Sequence, residues 1–296
     1  KEFLEDCYCK SGSISQYSVL SKQILTTRYD YLFESNDKKA TLEQVANKKG
    51  ISSDLIELFA NSLSKRPILL VGDVGVGKST FIDNLSLVEA PKVFEKSLTF
   101  KIDLGSKAII TLDVRKAIIN LLKDQLRNVY KVDISEDNFV RNAYYIELEN
   151  FKKSVAVKKL YEIDKVKAIE KEIEFLSGLV NDDISHIKKS LEYIGKNHRK
   201  QIIIFIDNCD QRNDQDQETA FLAAQEFATD WPVVVFVCLR PETFHRTKKI
   251  DGALSGYHTK AFTIAPPRID EVIQRRLSFA QKITNGDIVG SKREGK

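Results

Sequence analysis

The sequence contains no methionine, a single tryptophan and only four cysteines among its 296 residues. Four cysteines in a chain of this length do not make the dense disulfide scaffold that stabilises small secreted domains. Cys7 and Cys9 form one C-x-C pair with no second pair to complete a metal site. We interpret them as incidental thiols, with a metal or redox role as the lesser alternative.

Long hydrophobic runs are also missing. The longest apolar run, Val233–Leu239, is far shorter than the ~20 residues of a membrane-spanning helix. The first residues, KEFLEDCYCK, lack the apolar segment of a signal peptide. We therefore expect a cytoplasmic protein with no membrane partner. Because the last residues form a polar, glycine-containing tail, NGDIVGSKREGK, rather than a packed ending, we expect the chain to be part of a longer protein.

Neither sign of charge dominates. The net charge of +4 neither requires a nucleic-acid partner nor excludes one. Apolar residues make up 42% of the chain and charged residues 30%, proportions that are ordinary for a globular protein. A chain of this length can bury a substantial core in one large or two small domains.

Five short apolar runs alternate with amphipathic stretches along the chain. The runs, which we predict to be strands, are RPILLVG, LTFKIDL, QIIIFID, VVVFVCLR and KAFTIAPP. Because such strands are rich in Ile, Val and Leu and are separated by helices, we expect an α/β fold with a parallel sheet covered by helices. Residues 131–200 show no strand pattern, and their Lys and Glu runs predict charged helices.

These patterns predict three regions. An N-terminal helical region covers residues 1–58, and an α/β domain covers residues 59–265 with a helical insertion at about 131–200. The remainder, residues 266–296, begins with a proline-initiated helix and ends in a flexible tail.

Within the first region, TLEQVANKKGISSDLIELFANSL (residues 41–63) predicts two amphipathic helices with Gly50 between them. With Ala46 inside the pair, this stretch resembles a DNA-binding helix-turn-helix. Pairs of helices joined by a short turn are also common as structural elements that do not bind DNA. We favour a helical pair that leads into the sheet, and nucleic-acid binding is the lesser alternative.

The string GDVGVGKS, residues 72–79, matches the whole of G-x-x-x-x-G-K-[ST] between a predicted strand and a predicted helix. Glycines let backbone N–H groups turn toward phosphate oxygens, and the following helix adds its positive end. We expect Lys78 to reach the β- and γ-phosphates of ATP, Ser79 to bind Mg²⁺ and Thr80 to touch the α-phosphate. The predicted nucleotide-binding residues are Gly72, Asp73, Val74, Gly75, Val76, Gly77, Lys78, Ser79 and Thr80.

A second part of the predicted site follows the strand IIIFID. Ligands of α/β sheets lie at the carboxyl ends of the strands, so Asp207 is expected to hold Mg²⁺, with a capping role as the alternative. Many ATPases place a glutamate next, but Asn208 stands here and cannot accept a proton. Asp210 either replaces that base, caps the next helix or pairs with Arg212. Without a base, turnover would fall by about 10²–10⁴-fold.

Arg240 ends the next predicted strand, in FVCLRPETF. There it can contact the γ-phosphate, and the alternative is an ion pair with Asp207, Asp210 or Glu242. We take Cys209 and Cys238 as packing residues. Five other arginines are candidates for a second phosphate contact or for a finger that acts on a neighbouring molecule: Arg212, Arg246, Arg268, Arg275 and Arg276. The histidines at 186, 198, 245 and 258 have no metal spacing, and we predict that they lie at the surface.

The glycine-rich loop, the string hhhhDNxDQ (h, apolar) and a strand ending in LRP together resemble the STAND and AAA+ branches of the P-loop ATPases. STAND signalling ATPases, including NACHT-type and bacterial antiviral relatives, carry a second acid shortly after the Walker B aspartate and often an arginine before proline at the end of the next strand. Asp207, Asp210 and Arg240 match that pattern. The string DNCDQ departs from the commoner forms with glycine or glutamate, which leaves the subfamily open.

The resemblance implies a P-loop ATPase fold with a five-stranded parallel core, in which the strand before the loop lies beside the strand that ends in Arg240. It also implies a nucleotide-controlled switch that binds ATP and ADP and assembles as a homo-oligomer or with an effector or sensor protein. AFTIAPPRIDEVIQRRL resembles the start of the helical lid of such proteins, so residues 266–296 are expected to begin a lid. A DNA-associated AAA+-type ATPase and a non-hydrolysing nucleotide-dependent scaffold remain alternatives.

Overall fold

The computed structural model describes residues 1–9, 12–33, 66–105, 113–247 and 260–286. The strands are β1 (Ile68–Val71), β2 (Ser97–Asp103), β3 (Gln201–Asp207), β4 (Val233–Leu239) and β5 (Lys260–Thr263). The helices are α1 (Glu2–Cys7), α2 (Gly12–Phe33), α3 (Lys78–Asn84), α4 (Pro91–Glu95), α5 (Val114–Asn128), α6 (Asp137–Ala143), α7 (Tyr145–Lys153), α8 (Val155–Ile163), α9 (Lys165–Asn181), α10 (Asp183–His198), α11 (Asp214–Asp230), α12 (Pro241–Thr247) and α13 (Ile269–Thr284). A π-helical turn, Leu85–Glu89, extends α3, and a 3₁₀ turn, Cys209–Gln211, follows β3.

The five strands form one sheet in the order β2-β3-β4-β1-β5, and every neighbouring pair is parallel. This confirms the predicted α/β fold with a parallel sheet, and β1 lies beside β4 as expected. The β2–β3 register pairs Asp103 with Asp207, the last residue of each strand. Because all strands run in the same direction, the loops that carry the predicted site residues leave the sheet at one edge.

Alternating residues of each strand bury against opposite layers of helices. Ile204 and Ile206 of β3 belong to a core shared with α5, α10 and α11, whereas Ile203 and Phe205 belong to a core shared with α2 and α3. Each of these four side chains is at most 1% exposed. Burial on both faces explains why the strands are continuous apolar runs, and each such side chain contributes roughly 1.5–3 kcal/mol.

The N-terminal helices pack against the same sheet. The buried guanidinium of Arg28 in α2 donates to the carbonyl of Val233 at the start of β4 (2.8 Å), and burial lowers its pKa to about 10. Tyr17 of α2 stacks on Phe262 of β5 with 4.6 Å between ring centroids. Helices α1 and α13 meet through the rings of Phe3 and Phe279. The predicted helix-turn-helix, residues 41–63, lies outside the described residues.

Residues 137–198 form five helices, α6 to α10. Their own small core contains Val140, Tyr144, Leu148 and Leu176. The long charged stretch in this region divides into α8 and α9 at Asp164, whose carboxylate accepts from the backbone N–H of Lys167 (3.1 Å). A side-chain cap of this kind satisfies N–H groups that the first turn of a helix leaves without partners.

The prediction that His186 lies at the surface is wrong. Its side chain is 2% exposed, and its Nε2 donates to the carbonyl of Ile134 (3.0 Å). Its Nδ1 then accepts from the hydroxyl of Tyr144 (3.1 Å). Burial lowers the pKa of His186, which favours the neutral ring. The apolar residues of α10 do not mark His186 as buried, because its partners are Tyr144, which lies between α6 and α7, and Ile134.

Across the described ranges, no helix has the length and apolar content needed to cross a membrane.

Candidate functional site

The glycine-rich loop between β1 and α3 has a backbone that requires its glycines. Gly75 and Gly77 have φ angles of 78° and 99°, values that side chains with a Cβ rarely adopt. A Cβ on Gly72 would lie 2.7 Å from the carbonyl oxygen of Ile264. The loop therefore turns closely around the start of α3, with Asp73 and Val74 exposed and Thr80 in the first turn of the helix.

Lys78, the first residue of α3, points back under this loop. Its Nζ donates to the carbonyl oxygens of Gly72 (2.6 Å) and Asp73 (3.0 Å), and the residue is 9% exposed. An ammonium group carries three N–H donors, so these two bonds fix its position and a third donor can serve an anion on the loop.

Ser79 connects the loop to the predicted acid. Its Oγ donates to Oδ2 of Asp207 at the end of β3 (2.6 Å). Mg²⁺ in proteins is usually held by one or two side-chain oxygens together with phosphate oxygens and water, and this hydroxyl–carboxylate pair is such a set. The described residues contain no group of three or more His, Cys, Asp or Glu side chains arranged to hold a metal ion by themselves.

Asn208 adopts the left-handed conformation, with φ at 57°, which asparagine tolerates better than most residues. Its backbone N–H donates to Oδ1 of Asp207 (2.8 Å) and its Nδ2 donates to Oδ1 of Asp103 (2.8 Å). Oδ1 of Asp103 also accepts from the backbone N–H of Gly105 (2.8 Å). Asn208 therefore orients two carboxylates, one on each of two neighbouring strands.

A cavity of about 250 Å³ opens between α3, β2 and β3. Its polar lining consists of Ser79, Asp83, Lys101, Asp103, Asp207 and Asn208. Lys101 and Asp83 form an exposed ion pair across it (2.6 Å). Ile82, Ile102 and Phe205 supply its apolar lining, so the cavity combines an apolar floor with side chains of both charges and lies directly beside the loop.

Arg240 follows β4 immediately, and its carbonyl accepts from the N–H of Phe244 in α12 (3.0 Å). The strand register, Val71 with Leu239, places it at the level of Gly72 at the start of the glycine-rich loop. Asp210 lies in the 3₁₀ turn after β3, where the structure describes its backbone alone. The structure therefore brings Lys78, Ser79, Asp207 and Arg240 to one edge of the sheet.

The loops at this edge are also bonded to one another. Arg212, a candidate phosphate contact in the sequence, donates through Nε to the carbonyl of Leu104 after β2 (2.7 Å). The buried side chain of Gln217 in α11 donates to the carbonyl of Arg212 (2.6 Å) and accepts from the hydroxyl of Thr243 in α12 (2.6 Å). These bonds join the segments that follow β2, β3 and β4.

Cys209 and Cys238 are fully buried on opposite sides of the sheet, in the two separate cores. Burial, followed by the negative charge of Asp207, raises the pKa of the Cys238 thiol well above its ordinary value. The thiol therefore stays protonated and adds no charge beside the carboxylate.

Sequence reasoning did not identify Asp103 as a site residue. It ends the predicted strand LTFKIDL, where an exposed acid is an ordinary feature of a strand end. The sequence shows that Asp103 is near the end of a predicted strand. It does not show that this strand lies beside the strand that ends in Asp207. The pairing of β2 with β3 supplies that information.

Comparison of the chain with protein-family models gave no match, and neither did comparisons with curated proteins and with solved structures.

Proposed function

We propose that the chain is a P-loop ATPase of the STAND or AAA+ type that binds ATP with Mg²⁺ and hydrolyses it slowly. The observation that carries this proposal is the 2.6 Å bond between Ser79 and Asp207, which are 128 positions apart. The glycine-rich motif and the acid after β3 point separately to nucleotide and Mg²⁺. Their direct contact supports a single site for both.

In this proposal the backbone N–H groups of residues 72–79 and the ammonium of Lys78 hold the phosphates of ATP. Lys78 is well placed for this because two loop carbonyls already fix its Nζ at the inner side of the loop. Ser79 and Asp207 would hold Mg²⁺, which when bound neutralises charge on the β- and γ-phosphates. The products of hydrolysis are ADP and inorganic phosphate.

Arg240 is the proposed sensor of the γ-phosphate, because β4 lies next to β1 and ends at the same edge. Its neighbour α12 is tied to α11 through the Thr243–Gln217 bond. A movement of Arg240 on loss of the γ-phosphate would therefore displace both helices. We propose that the chain acts in the cytoplasm as a nucleotide-controlled switch that assembles with copies of itself or with an effector or sensor protein.

The Lys78→Ala variant tests nucleotide binding. A ligand that binds only the folded chain stabilises it by about 2.7 kcal/mol at a concentration of 100 times its Kd. In a chain of this size that corresponds to a rise in Tm of several degrees. We expect Mg²⁺-ATP to raise the Tm of the wild-type protein in a thermal shift assay and to leave that of Lys78→Ala nearly unchanged.

Lys196→Ala is the matched control, since it removes a lysine from the exposed Lys196–Glu192 pair near the end of α10 that precedes β3. That end lies at the opposite edge of the sheet, so the control should keep the full ATP-dependent rise. An equal rise in Lys78→Ala and the wild-type protein would contradict the proposal, as would no rise in the wild-type protein.

A further inference from the structure

The proposed hydrolysis requires a group that accepts a proton from the attacking water, and Asn208 cannot do so. Asp103 is the register partner of Asp207 on the neighbouring parallel strand. Neighbouring strands are about 4.8 Å apart, so the two acids end their strands side by side. Both line the same cavity as Ser79. Asp103 is therefore a carboxylate in the immediate surroundings of the proposed Mg²⁺-ATP site.

One bond from the segment after β3 and one from its own segment after β2 set the orientation of the Asp103 carboxylate. Its Oδ1 accepts from Nδ2 of Asn208 (2.8 Å) and from the backbone N–H of Gly105 (2.8 Å). A group that must accept a proton in the transition state is effective only when its position is fixed beforehand. Asn208 is not itself a base, but its side chain fixes the orientation of the Asp103 carboxylate.

Gly105 permits this arrangement. A Cβ at this position would lie 2.9 Å from the Cβ of Asn208 and 2.6 Å from Cδ of Gln211. The segment after β2 thus approaches the segment after β3 more closely than a larger residue would allow. The bond from Arg212 Nε to the carbonyl of Leu104 (2.7 Å) holds the same two segments together.

We propose that Asp103 is the general base of the ATPase reaction, an assignment that rests on the proposed function. Asp103 takes one proton from a water molecule while the water oxygen forms a bond to the γ-phosphorus of ATP. The bond between that phosphorus and the bridging oxygen to the β-phosphate breaks, and its electron pair leaves with ADP. Inorganic phosphate is released, and Asp103 returns its proton to the solvent. Asn208 is a positioning residue that holds the base.

Asp103→Asn tests the assignment, because asparagine keeps an Oδ1 that can accept both orienting bonds but has no basic carboxylate. We expect single-turnover hydrolysis of Mg²⁺-ATP to fall by about 10²–10⁴-fold. Affinity for Mg²⁺-ATP, measured by competition with a fluorescent ATP analogue, should change by less than about threefold, since the base acts mainly in the transition state.

Two matched variants separate a base from a general effect of charge. Asp83→Asn removes a negative charge from the lining of the same cavity, and Asp210→Asn removes the rival acid after β3. Asp83→Asn should hydrolyse ATP within about fivefold of the wild-type rate, since Asp83 is not assigned to proton transfer, and Asp210→Asn decides between the two acids. A normal rate of hydrolysis in Asp103→Asn would overturn the assignment, and a loss of hydrolysis in Asp210→Asn beside it would transfer the role to Asp210.

The remaining outcomes are also decisive. An Asp103→Asn variant that loses ATP affinity and hydrolysis together would show that Asp103 serves binding, which overturns its role as base. Wild-type protein that binds ATP but does not turn over in a single-turnover assay overturns the base while leaving nucleotide binding intact. Wild-type protein that binds no Mg²⁺-ATP overturns the proposed function itself and this assignment with it.

Discussion

At the scale of single residues, Asn208 connects the acids that end two neighbouring strands. Its left-handed backbone and its side-chain amide each direct a hydrogen bond to a different aspartate. A glutamate there would place a third carboxylate beside Asp103 and Asp207, and like charges in close contact disfavour one another. Asparagine keeps the two acids oriented without adding charge.

His186 provides a prediction at the same scale. In the folded chain the pKa of His186 is lowered from 6.5. Around and below pH 6.5 this residue is therefore protonated to a greater extent in the unfolded chain than in the folded chain. The free energy of unfolding should therefore fall as the pH drops from 7 through this window, by at most ~1.4 kcal/mol per pH unit from this one group. His186→Gln should remove that part of the slope in urea unfolding measured between pH 5 and 7.5.

His198→Gln is the control for this experiment, because His198 is exposed at the end of the same helix. Its substitution should leave the pH dependence of the free energy of unfolding unchanged. If His186→Gln and the wild-type protein have equal slopes, the buried neutral state of His186 is wrong.

At the scale of helices and strands, the sequence predicted the elements that have a regular apolar pattern. It did not predict which strands pair with one another. QIIIFID coincides with β3, and the alternation of apolar strands and helices indicated a parallel sheet. The nearness of Asp103 to Asp207 depends on the β2–β3 register, which no local pattern encodes. The burial of His186 depends on Tyr144 and Ile134, which lie 42 and 52 positions away in the sequence and which the pattern of α10 does not reveal.

Besides their small apolar core, four of the helices formed by residues 137–198 share one buried acid. Glu172 of α9 is 5% exposed, and it pairs with Arg141 of α6 (2.8 Å) and Lys152 of α7 (3.5 Å). It also accepts from the hydroxyl of Tyr161 in α8. Four helices therefore meet at one carboxylate, and its loss would leave two cations without this partner.

We expect Glu172→Ala to lower the free energy of unfolding by roughly 2–3 kcal/mol, below the 3–5 kcal/mol typical of a fully buried pair. The lower value follows because Arg141 is about one-third exposed and keeps its bond to Asp137. The control is Glu174→Ala on the same helix, whose exposed pair with Lys171 should contribute less than ~1 kcal/mol. Equal effects of the two substitutions in urea unfolding would contradict this account of the insertion.

At the scale of the whole molecule, the parallel sheet brings candidate site residues from distant parts of the chain together at the carboxyl ends of its strands. Backbone bonds run from Gly72 N–H after β1 to the carbonyl of Leu239 in β4 (3.0 Å) and from Leu104 N–H after β2 to the carbonyl of Asp207 in β3 (3.0 Å). The side chain of Gln217 links the segments that follow β3 and β4. The fold thus places the glycine-rich loop, the proposed Mg²⁺ ligands, the proposed base and the proposed sensor in one connected group of segments.

The central claim is that Ser79 and Asp207 form the Mg²⁺ part of an ATP site, and equilibrium binding of ATP with and without Mg²⁺ tests it most directly. In isothermal titration calorimetry we expect Mg²⁺ to tighten ATP binding by about tenfold or more, or ~1.4 kcal/mol. Asp207→Asn should bind ATP to a similar extent in the absence of Mg²⁺ and lose most of the gain that Mg²⁺ provides. Wild-type protein that binds no ATP, or an Asp207→Asn variant with the full Mg²⁺ dependence, would contradict the claim.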